Sequence, residues 1–493
     1  MDYQFETEPF EHQLRIFNET AELTHHGLLW EQGCGKTKPL IDQIAYLYEQ
    51  GKIDAALIVA PGGVERNWVA DELPKHLPKR LHARTLAKFF QTRKSRTKWH
   101  GQSMEALVAY KGLSILCISY SGFMSAVGKR LVWKFLKRRR VFYVLDESDE
   151  IKTPKAKRTR SIVASGKYAE FRRIATGTPA DQPFDIYSQL RFLDPQIWAR
   201  RGMKNFAAFK QHFGVWWTRA EAQEALGYDP GYDKLVEYKN LDELAEVLAG
   251  QSDRLLKEDV LDLPDKLYTK IRFDMTPRQQ SLYDELREEF EIELEDGRVV
   301  DGNLAITRLL RLQQITCGYM VTDAEEPIEL CDKTNPRLDA TVAWMERLNH
   351  AAIIWCRFRH DIDQLVDALG ERAVRYDGAI TDDEAELAKN QFNAGDVQYL
   401  IGNPDKGARG LTMNIAKTTG YYSNSFKLRF RLQSEDRNHR FGQDGTDHGS
   451  LGFGVLYGDV MANGTVDGKI VQALRDKFDI ASALTGDRLR EWI

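Results

Sequence analysis

Short apolar runs alternate with amphipathic helical periods along two stretches of this sequence. In the first stretch, from residue 27 to residue 180, the apolar runs predict strands at 28–30, 55–60, 113–119, 141–145 and 173–175. In the second stretch, which begins near residue 337, they predict strands at 352–357, 374–377, 397–401, 419–423 and 453–457. This alternation is typical of parallel sheets that carry helices on their faces. The sequence therefore predicts an α/β chain with two parallel-sheet lobes.

The segment between the two stretches, residues 198–330, has a different and mainly helical pattern. It begins with the aromatic residues Phe206, Phe209, Phe213, Trp216 and Trp217. An acidic stretch between Asp284 and Asp301 follows them. We interpret the aromatic run as a packed helix surface rather than a base-stacking platform. The predicted domains are an N-terminal lobe at 1–197, a helical insertion and linker at 198–330, and a C-terminal lobe at 331–493.

Composition narrows the class of protein. The 493 residues carry a formal net charge of −4, so any nucleic-acid binding must come from local basic stripes rather than a uniform coat. Five scattered cysteines without a C-x-x-C pair fit a reducing compartment. The N-terminus lacks a basic start followed by an apolar run, and no run of about 18 apolar residues occurs. We expect a cytosolic protein that does not enter a membrane.

A glycine-containing loop follows the first apolar run and precedes an amphipathic helix. It consists of Gly33, Cys34, Gly35, Lys36 and Thr37. In such a loop the backbone N–H groups cradle phosphates, the lysine neutralises β/γ oxygens and the Thr37 hydroxyl ligates Mg²⁺. The usual pattern has a glycine five residues before Gly35, where this sequence has Trp30. The context predicts a nucleotide site, and an incidental glycine turn is the alternative.

Two adjacent acids, Asp146 and Glu147, close the apolar run 141–145. They therefore fall at the carboxyl edge of a buried strand, where open α/β sheets bind ligands. Hydrolysis of a phosphate anhydride needs one acid on the metal and another near the attacking water. Acidic pairs on loops are often merely solvated, but beside the loop of Lys36 the pair becomes the expected metal partner. Thr37 and Asp146 are the predicted Mg²⁺ ligands.

Two arginines near the end of the chain, Arg437 and Arg440, lie three residues apart on a predicted helix. This spacing places both on one side of the helix, where they can stabilise charge on a γ-phosphate. The alternative is a solvated basic helix face.

Several short segments, in this order, resemble those of the Swi/Snf-type ATPases of helicase superfamily two over nearly the whole chain. The segments are 10–13 (FEHQ), 61–68 (PGGVERNW), 146–155 (DESDEIKTPK), 176–179 (TGTP), 191–195 (RFLDP), 257–264 (KEDVLDLP), 406–414 (KGARGLTMN) and 433–443 (QSEDRNHRFGQ). The resemblance implies two RecA-like lobes that use ATP and Mg²⁺.

The resemblance also implies roles for single residues. It implies that Gln13 reads the adenine base, and that residues 61–68 touch nucleic-acid phosphates. Gly410 and Gln433, in the two second-lobe motifs, would complete the nucleotide site together with the arginines.

The sequence departs from the family pattern at a few positions. Ser148 and Asp149 stand where alanine and histidine are usual, Ala408 replaces a glycine and Thr412 an asparagine. Phe426 stands where the chromatin-remodelling members favour tryptophan. The chain is more similar to compact bacterial and phage members, which implies the cytosol of a bacterium or of a phage-infected host.

The expected function is an ATP-hydrolysing motor that moves along double-stranded DNA. One alternative is a nucleotide-gated DNA-binding or recruitment module with low turnover, serving a nuclease or replication partner. The substitutions at Ser148, Asp149 and Ala408 motivate it. A second alternative is a strand-separating DNA or RNA helicase, whose separating element would lie within 198–330. The sequence does not reveal the oligomeric state.

Basic residues form local clusters that predict a DNA track bound mainly through phosphates. The clusters are Arg93, Lys94, Arg96 and Lys98 beside Trp99; Lys129, Arg130, Lys134, Lys137, Arg138, Arg139 and Arg140; Lys152, Lys155, Lys157, Arg158 and Arg160; and Lys427, Arg429 and Arg431. Each cluster by itself also fits a solvated surface.

Overall fold

The computed structural model describes residues 3–227, 229–295, 302–321, 326–331, 334–404, 413–440 and 442–485. The chain divides into two compact units. The first unit comprises Met1–Phe213, Lys239–Leu261 and Ile480–Arg488, and the second comprises Gly214–Tyr238, Asp262–Asp479 and Leu489–Ile493. Within the described ranges no helix has the length and apolarity that crossing a membrane requires.

The strands are numbered in chain order. They are β1 (His25–Trp30), β2 (Ala55–Ala60), β3 (Thr85–Phe89), β4 (Leu113–Ser119), β5 (Val141–Asp146), β6 (Phe171–Ala175), β7 (Gly214–Trp217), β8 (Lys234–Tyr238), β9 (Ser252–Leu255), β10 (Asp265–Phe273), β11 (Tyr319–Val321), β12 (Pro327–Glu329), β13 (Ala352–Trp355), β14 (Ala373–Tyr376), β15 (Tyr399–Gly402), β16 (Thr418–Tyr421), β17 (Thr446–Asp447) and β18 (Phe453–Ala462).

The α-helices lie between these strands. They are Glu11–Thr20, Thr37–Glu49, Val64–Asn67, Leu73–His76, Lys79–His82, Lys98–Ala109, Tyr120–Met124, Ala126–Arg138, Lys157–Gly166, Ile186–Leu193, Phe206–Phe213, Arg219–Leu226, Leu241–Ala249, Pro277–Glu295, Gly302–Thr316, Pro336–Leu348, Arg359–Leu369, Asp382–Ala394, Leu428–Glu435 and Val466–Thr485. A π-helical turn spans Trp68–Glu72.

The first unit contains a parallel sheet with the strand order β3-β4-β2-β5-β6-β1-β9. The central strand β5 is apolar on both faces because helices cover the sheet on both sides, and its first five residues are buried. Since all strands run in the same direction, their carboxyl ends lie at one edge of the sheet. The loops that follow β1, β2, β5 and β6 therefore meet at that edge.

The second unit contains a sheet with the order β10-β18-β16-β13-β15-β14, in which these strands are parallel. The short strand β17 joins β18 in antiparallel orientation. The core on one face of this sheet includes Ile353, Trp355 and Leu400, and the core on the other face includes Ile354 and Ile401. The period-two alternation of the strands explains why neighbouring residues enter different cores.

The prediction of an α/β chain with two parallel-sheet lobes is confirmed. The structure adds several strands that the apolar runs did not reveal, and three of them, β3, β9 and β10, belong to the two large sheets. β3 is a half-buried edge strand of alternating polarity, and β9 has the polar sequence SDRL. The segment 198–330, which the pattern predicts as mainly helical, thus supplies one strand to each sheet.

The interpretation of the aromatic run as a packed surface is confirmed for its helical part. Phe209 and Phe213 are buried, and the Phe209 ring lies 4.6 Å from that of Trp198. Trp216 and Trp217 instead lie on strand β7, which pairs with β8 in an antiparallel hairpin. Strand pairing therefore overrides the helical expectation at these two residues.

Candidate functional site

The glycine loop at 33–37 joins β1 to the helix Thr37–Glu49 in the first unit. Gly33 and Gly35 have φ of 91° and 74°, a region that favours glycine. A Cβ atom at Gly35 would lie 2.4 Å from Nε2 of Gln13, so the loop also needs glycine for space. Thr37 is the first residue of the helix, and Cys34 is buried. The loop thus has the geometry expected of a phosphate cradle.

The Lys36 ammonium lies within this loop. Its Nζ donates to the backbone carbonyls of Trp30, at 2.9 Å, and Glu31, at 3.2 Å. Trp30 occupies the position of the usual first glycine, and its side chain is fully buried. The Trp30 indole donates to Oδ2 of Asp253 at 2.6 Å. Trp30 therefore fixes the start of the loop to the core. Lys36 donates to neutral carbonyls, and an anion can replace them.

Gln13 is buried beside the loop and makes a contact at each end of its amide. Its Oε1 accepts from the backbone N–H of Phe10 at 3.0 Å. Its Nε2 donates to the carbonyl of Gly35 at 3.0 Å. The neighbouring His12 ring hydrogen-bonds with the carbonyl of Cys34 at 3.0 Å. The segment predicted to sense the base is thus bonded directly to the loop predicted to bind phosphate.

Asp146 and Glu147 lie at the carboxyl end of β5, as predicted. Asp146 Oδ2 accepts from the indole N–H of Trp68 at 2.9 Å. Burial and the adjacent charge of Glu147 raise the pKa of Asp146 to about 6, and the positive charge of Lys36 opposes the rise. Two crowded carboxylates beside a cationic loop are a donor set suited to Mg²⁺, because hard oxygen ligands and negative charge favour that ion.

Glu147 connects the loop to the motif that follows β6. It has a left-handed φ of 52°, uncommon for a residue other than glycine. Its Oε1 accepts from Nε2 of Gln32 at 3.0 Å. The hydroxyl of Thr176 lies 3.3 Å from Glu147 Oε2 and 3.4 Å from Oδ1 of Asp149. The structure thus unites the loop, the acids and the TGTP segment in one network.

Ser148 and Asp149, two of the positions that depart from the family pattern, are part of this network. The Ser148 hydroxyl donates to Oε1 of Gln189 at 2.7 Å. The Gln189 amide in turn donates to the carbonyl of Pro179 at 2.6 Å. Because Asp149 lies beside Thr176, both substituted residues contact the segment that follows β6, either directly or through one side chain.

The edge strand β9 supplies contacts that the sequence analysis missed. Nη1 of Arg254 donates to the carbonyls of Leu29, at 2.6 Å, and Gly177, at 3.2 Å. The backbone N–H of Lys257 donates to Oε2 of Glu31 at 2.8 Å. The KEDV segment at 257–260 was identified by resemblance only, and no local pattern distinguishes Arg254 from other surface arginines.

In the second unit the motif 433–443 begins on the helix Leu428–Glu435. Because this helix ends at Glu435, Arg437 and Arg440 lie in the turns that follow it, and their predicted helical placement is wrong. The carbonyl of Arg437 accepts from the backbone N–H of Met413 at 3.0 Å. This long-range hydrogen bond explains why the chain leaves the helical path here.

The two arginines are held by the carbonyls of residues four positions earlier. Arg437 is 1% exposed, and its Nε donates to the carbonyl of Gln433 at 3.0 Å. Arg440 Nε donates to the carbonyl of Asp436 at 2.9 Å. Burial lowers the pKa of the Arg440 guanidinium. Gln433 is buried as well, whereas Gly410 lies outside the described residues.

A buried charge cluster supports this segment. Glu435 accepts from Nζ of Lys266 and from the hydroxyl of Tyr268, both at 3.0 Å, and from Nε of Arg431 at 2.8 Å. Arg431 also pairs with Asp459, at 3.1 Å from Nη2 to Oδ2. The prediction that Arg431 belongs to a DNA track is therefore wrong, because its charge is buried and neutralised within the second unit.

Some first-unit cations of the predicted DNA track are also structural. Arg139 donates to Oδ1 of Asp54 at 3.1 Å and to several carbonyls, and Lys152 lies 2.5 Å from Asp181. The group at Arg93, Lys94, Arg96, Lys98 and Trp99, here called the β3 basic segment, is different. All five side chains are exposed, Trp99 at 66%, and the four cations form no ion pair with a residue that the structure describes.

Residues 12–319 match the family model described as the SNF2-related domain, and residues 335–442 match the helicase conserved C-terminal domain. The chain belongs to the SNF2-related family. The predicted Swi/Snf-type, superfamily-two class of helicase-like ATPase is thereby confirmed, and the two parallel sheets correspond to its two RecA-like lobes.

The relatives of this SNF2-family chain are distant and much longer. It is 24% identical over 438 residues to the transcription regulatory protein SNF2 of Saccharomyces cerevisiae, covering 84% of this chain and 24% of that protein. It is 22% identical to an uncharacterized ATP-dependent helicase of Mycoplasma genitalium, covering 91% of this chain and 39% of that protein.

Among solved structures, the SWI2/SNF2 ATPase core of Sulfolobus solfataricus in complex with double-stranded DNA matches with 19% identity and a TM-score of 0.40. The match covers 99% of this chain and 96% of the archaeal chain.

Proposed function

We propose that this SNF2-family chain hydrolyses ATP and uses the energy to move along double-stranded DNA. One observation carries the proposal, namely that Gln32, Glu147 and Thr176 form a connected set of polar contacts at the carboxyl edge of the first sheet. A loop that binds phosphate, an acid that activates water and the motif after β6 are thereby joined. Loss of a phosphate at the loop can therefore change the contacts of the TGTP segment.

The chemical roles follow from the positions of the side chains. Lys36 exchanges the carbonyls of Trp30 and Glu31 for the β- and γ-phosphate oxygens of ATP. The Thr37 hydroxyl and the Asp146 carboxylate would hold Mg²⁺, which would neutralise charge on the phosphates. Glu147 accepts a hydrogen bond from the attacking water and orients or deprotonates it.

Arg437 and Arg440 complete the site in this proposal. Their guanidinium groups would contact the γ-phosphate when the two units close on ATP, and they stabilise the charge that spreads over its oxygens during transfer. Their affinity for the transition state couples hydrolysis to motion, because loss of the γ-phosphate removes the contact that favours closure. Gln13 would select adenine through the amide that now contacts Phe10 and Gly35.

The β3 basic segment is the part of the DNA track with the strongest support in the first unit. It follows the carboxyl end of β3, on the same sheet edge as Asp146. Unpaired exposed cations bind phosphates without the cost of breaking an ion pair, and an exposed indole stacks on bases. Changing Arg93, Lys94, Arg96 and Lys98 together to glutamine should weaken duplex binding.

Measuring duplex affinity at several salt concentrations tests whether the β3 basic segment contacts phosphates. If all four cations contact phosphates, the slope of log affinity against log salt should become shallower by about 3.6, which is about 0.9 for each contact. A control variant with the same charge change should keep the wild-type slope. That control replaces the exposed lysines Lys52, Lys75, Lys79 and Lys204 by glutamine. Equal slopes for the two variants would exclude the β3 basic segment from the track.

The gated, low-turnover module is the second candidate, motivated by Ser148 and Asp149. The hydrogen bonds of Ser148 and Asp149 favour the motor instead. Through them the segment that follows Asp146 and Glu147 still contacts the segment after β6, so a change at the acids can reach that segment. The two candidates differ in rate. A gated module predicts near-zero hydrolysis that DNA does not stimulate.

The deciding experiment measures phosphate release from ATP with single-stranded DNA, duplex DNA, branched DNA, RNA or no nucleic acid. The motor predicts hydrolysis that duplex DNA stimulates, falling at least about a hundredfold in Lys36→Ala and Glu147→Gln. Lys204→Ala, an exposed lysine of the same unit, is the matched control and should hydrolyse at the wild-type rate. Wild-type rates in Lys36→Ala would overturn the proposal, and separation of labelled strands would favour the helicase alternative.

A further inference from the structure

Trp68 joins the metal-binding acid to an exposed turn. The residue is 2% exposed, and its indole N–H donates to Oδ2 of Asp146 at 2.9 Å. It directly follows the helix Val64–Asn67, which begins after Gly63 at the end of β2. Strand β2 is the sheet neighbour of β5, which carries Asp146 at its end. One side chain thus spans from one strand end to the next.

The indole N–H of Trp68 has a carboxylate as its hydrogen-bond acceptor rather than a backbone carbonyl. A buried indole N–H requires an acceptor, and a backbone carbonyl usually meets that need. Trp198, buried in the same unit, donates to the carbonyl of Tyr187 at 2.9 Å. Trp68 donates to a carboxylate, as Trp30 does to Asp253, and such a charge-assisted hydrogen bond is stronger and limits how the carboxylate rotates.

The carboxylate depends on this bond for its orientation. The carbonyl of Asp146 is fixed separately by the hydroxyl of Tyr120, at 2.9 Å. The carboxylate itself accepts from the Trp68 indole and from the backbone N–H of Glu147. The Trp68 bond to Oδ2 thus limits the directions in which the carboxylate can present its oxygens to a cation held by Thr37. Outer contacts of this kind commonly tune metal affinity.

Trp68 also begins the π-helical turn Trp68–Glu72. Single π-helical turns occur frequently at functional sites. The residues just before it include Gly63 and Arg66, which are exposed. A phosphate bound at this exposed turn would therefore act on the residue that holds Asp146.

We propose that Trp68 is a positioning residue: it directs the Asp146 carboxylate toward the divalent cation and links the cation site to the exposed turn 62–66. The inference rests on the proposed function, because it needs a nucleotide-bound cation. Two effects follow from it. Removing the indole N–H should weaken binding of the cation, and it should break the response of that binding to DNA.

The test compares Trp68→Phe with the matched control Trp198→Phe. Binding of Mn²⁺ to the ADP complex is followed by electron paramagnetic resonance, which does not require turnover. We expect Trp68→Phe to raise the half-saturating Mn²⁺ concentration about tenfold or more, while ADP binding without metal stays unchanged. Trp198→Phe should leave both values at the wild-type level. An unchanged Mn²⁺ midpoint in folded Trp68→Phe would overturn the positioning role.

A second measurement tests the link to the turn. Duplex DNA should shift the Mn²⁺ midpoint of the wild-type ADP complex and should leave that of Trp68→Phe unchanged. An equal shift in both proteins would overturn the link. If Trp68→Phe does not fold, 3-benzothienylalanine at position 68 keeps the tryptophan shape and replaces only the N–H by sulfur.

Failure of the proposed function is distinguishable from failure of this inference. If the wild-type protein binds neither ADP nor the Mn²⁺–ADP complex, the nucleotide site itself is absent. If the wild-type protein binds both and Trp68→Phe matches it, the nucleotide site stands and only the role of Trp68 is lost.

Discussion

The two units hold the cations of the proposed nucleotide site in different ways. In the first unit, Lys36 donates to the backbone carbonyls of Trp30 and Glu31, in a loop with two positive-φ glycines. In the second unit, the segment of Arg437 follows a helix anchored by the buried ions Arg431 and Glu435. The first arrangement can exchange its contacts for a phosphate. The second fixes the backbone around Arg437, whose buried guanidinium donates to the carbonyl of Gln433.

This difference separates binding from catalysis. A site that is made of exchangeable contacts should bind nucleotide by itself, whereas a rigid arginine segment adds little to ground-state binding and much to the transition state. Substitutions in the first unit should therefore weaken nucleotide binding, whereas substitutions of the arginines in the second unit should slow hydrolysis and leave ADP binding nearly unchanged.

The largest effect is expected from Arg437→Ala. Hydrolysis should fall about a thousandfold or more, since charge-stabilising arginines contribute on that scale. ADP affinity should stay within about threefold of wild type, because ADP lacks the γ-phosphate that the arginine contacts in the proposed mechanism. Rapid-quench measurement of phosphate release and fluorescence titration with labelled ADP give the two values.

The control for Arg437→Ala is Arg359→Ala, since the Arg359 side chain is 65% exposed in the same unit. It should leave both hydrolysis and ADP binding unchanged. If Arg437→Ala instead lost ADP binding as fully as Lys36→Ala, the division of labour between the units would be wrong.

The next effect concerns stability rather than rate. Arg431→Ala removes the guanidinium that pairs with both Glu435 and Asp459, so the free energy of unfolding of the second unit should fall by about 3–5 kcal/mol. Glu435 keeps its contact with Lys266, and Asp459 keeps that with Asn424. Lys36→Met should change the stability of the first unit by less than about 1 kcal/mol, because the two carbonyls it releases can bind water. Urea unfolding followed by hydrogen exchange resolves the two units. Equal losses would contradict the contrast between them.

The contrast also shows what the sequence reveals and what it does not. The strand ends that carry Lys36 and Asp146 were predictable, because each follows a buried apolar run and carries residue types with a known chemistry. The strands β9 and β10 were missed because their burial comes from neighbours far along the chain. For β10 the alternation K-L-Y-T-K-I-R-F, residues 266–273, is a signal that period-two analysis can recover.

The sequence is least informative about which side chain each charged residue contacts in the fold. Arg93 and Arg431 are indistinguishable as letters in basic clusters, yet one is exposed and the other pairs with Glu435 and Asp459. The acidic partners of Arg431 lie 4 and 28 residues away in sequence. The same limit applies to the indole bond from Trp68 to Asp146, which joins residues 78 positions apart. Only the folded sheet determines which strand ends become neighbours.

The smallest expected effect sharpens the first half of the comparison. Gln13→Ala removes the donor to the Gly35 carbonyl and the acceptor for the Phe10 N–H, so ATP should bind about tenfold more weakly, which corresponds to about 1.4 kcal/mol. Gln13→Glu is the matched variant, because it keeps the acceptor but loses the donor. Gln13→Glu should bind ATP as weakly as Gln13→Ala if the Nε2 donor, through Gly35 or the base, contributes most of the binding free energy. Wild-type affinity in both variants would remove Gln13 from the nucleotide site.

The most direct test of the account is the affinity of wild type and of the double variant Arg437→Ala/Arg440→Ala for two ligands, Mg²⁺–ADP and Mg²⁺–ADP with aluminium fluoride. The fluoride complex mimics the phosphoryl group in transfer, so only its binding should depend on the arginines. The account predicts equal ADP affinities and a loss of about a thousandfold or more for the fluoride complex in the double variant. Equal affinities of both proteins for the fluoride complex would contradict it.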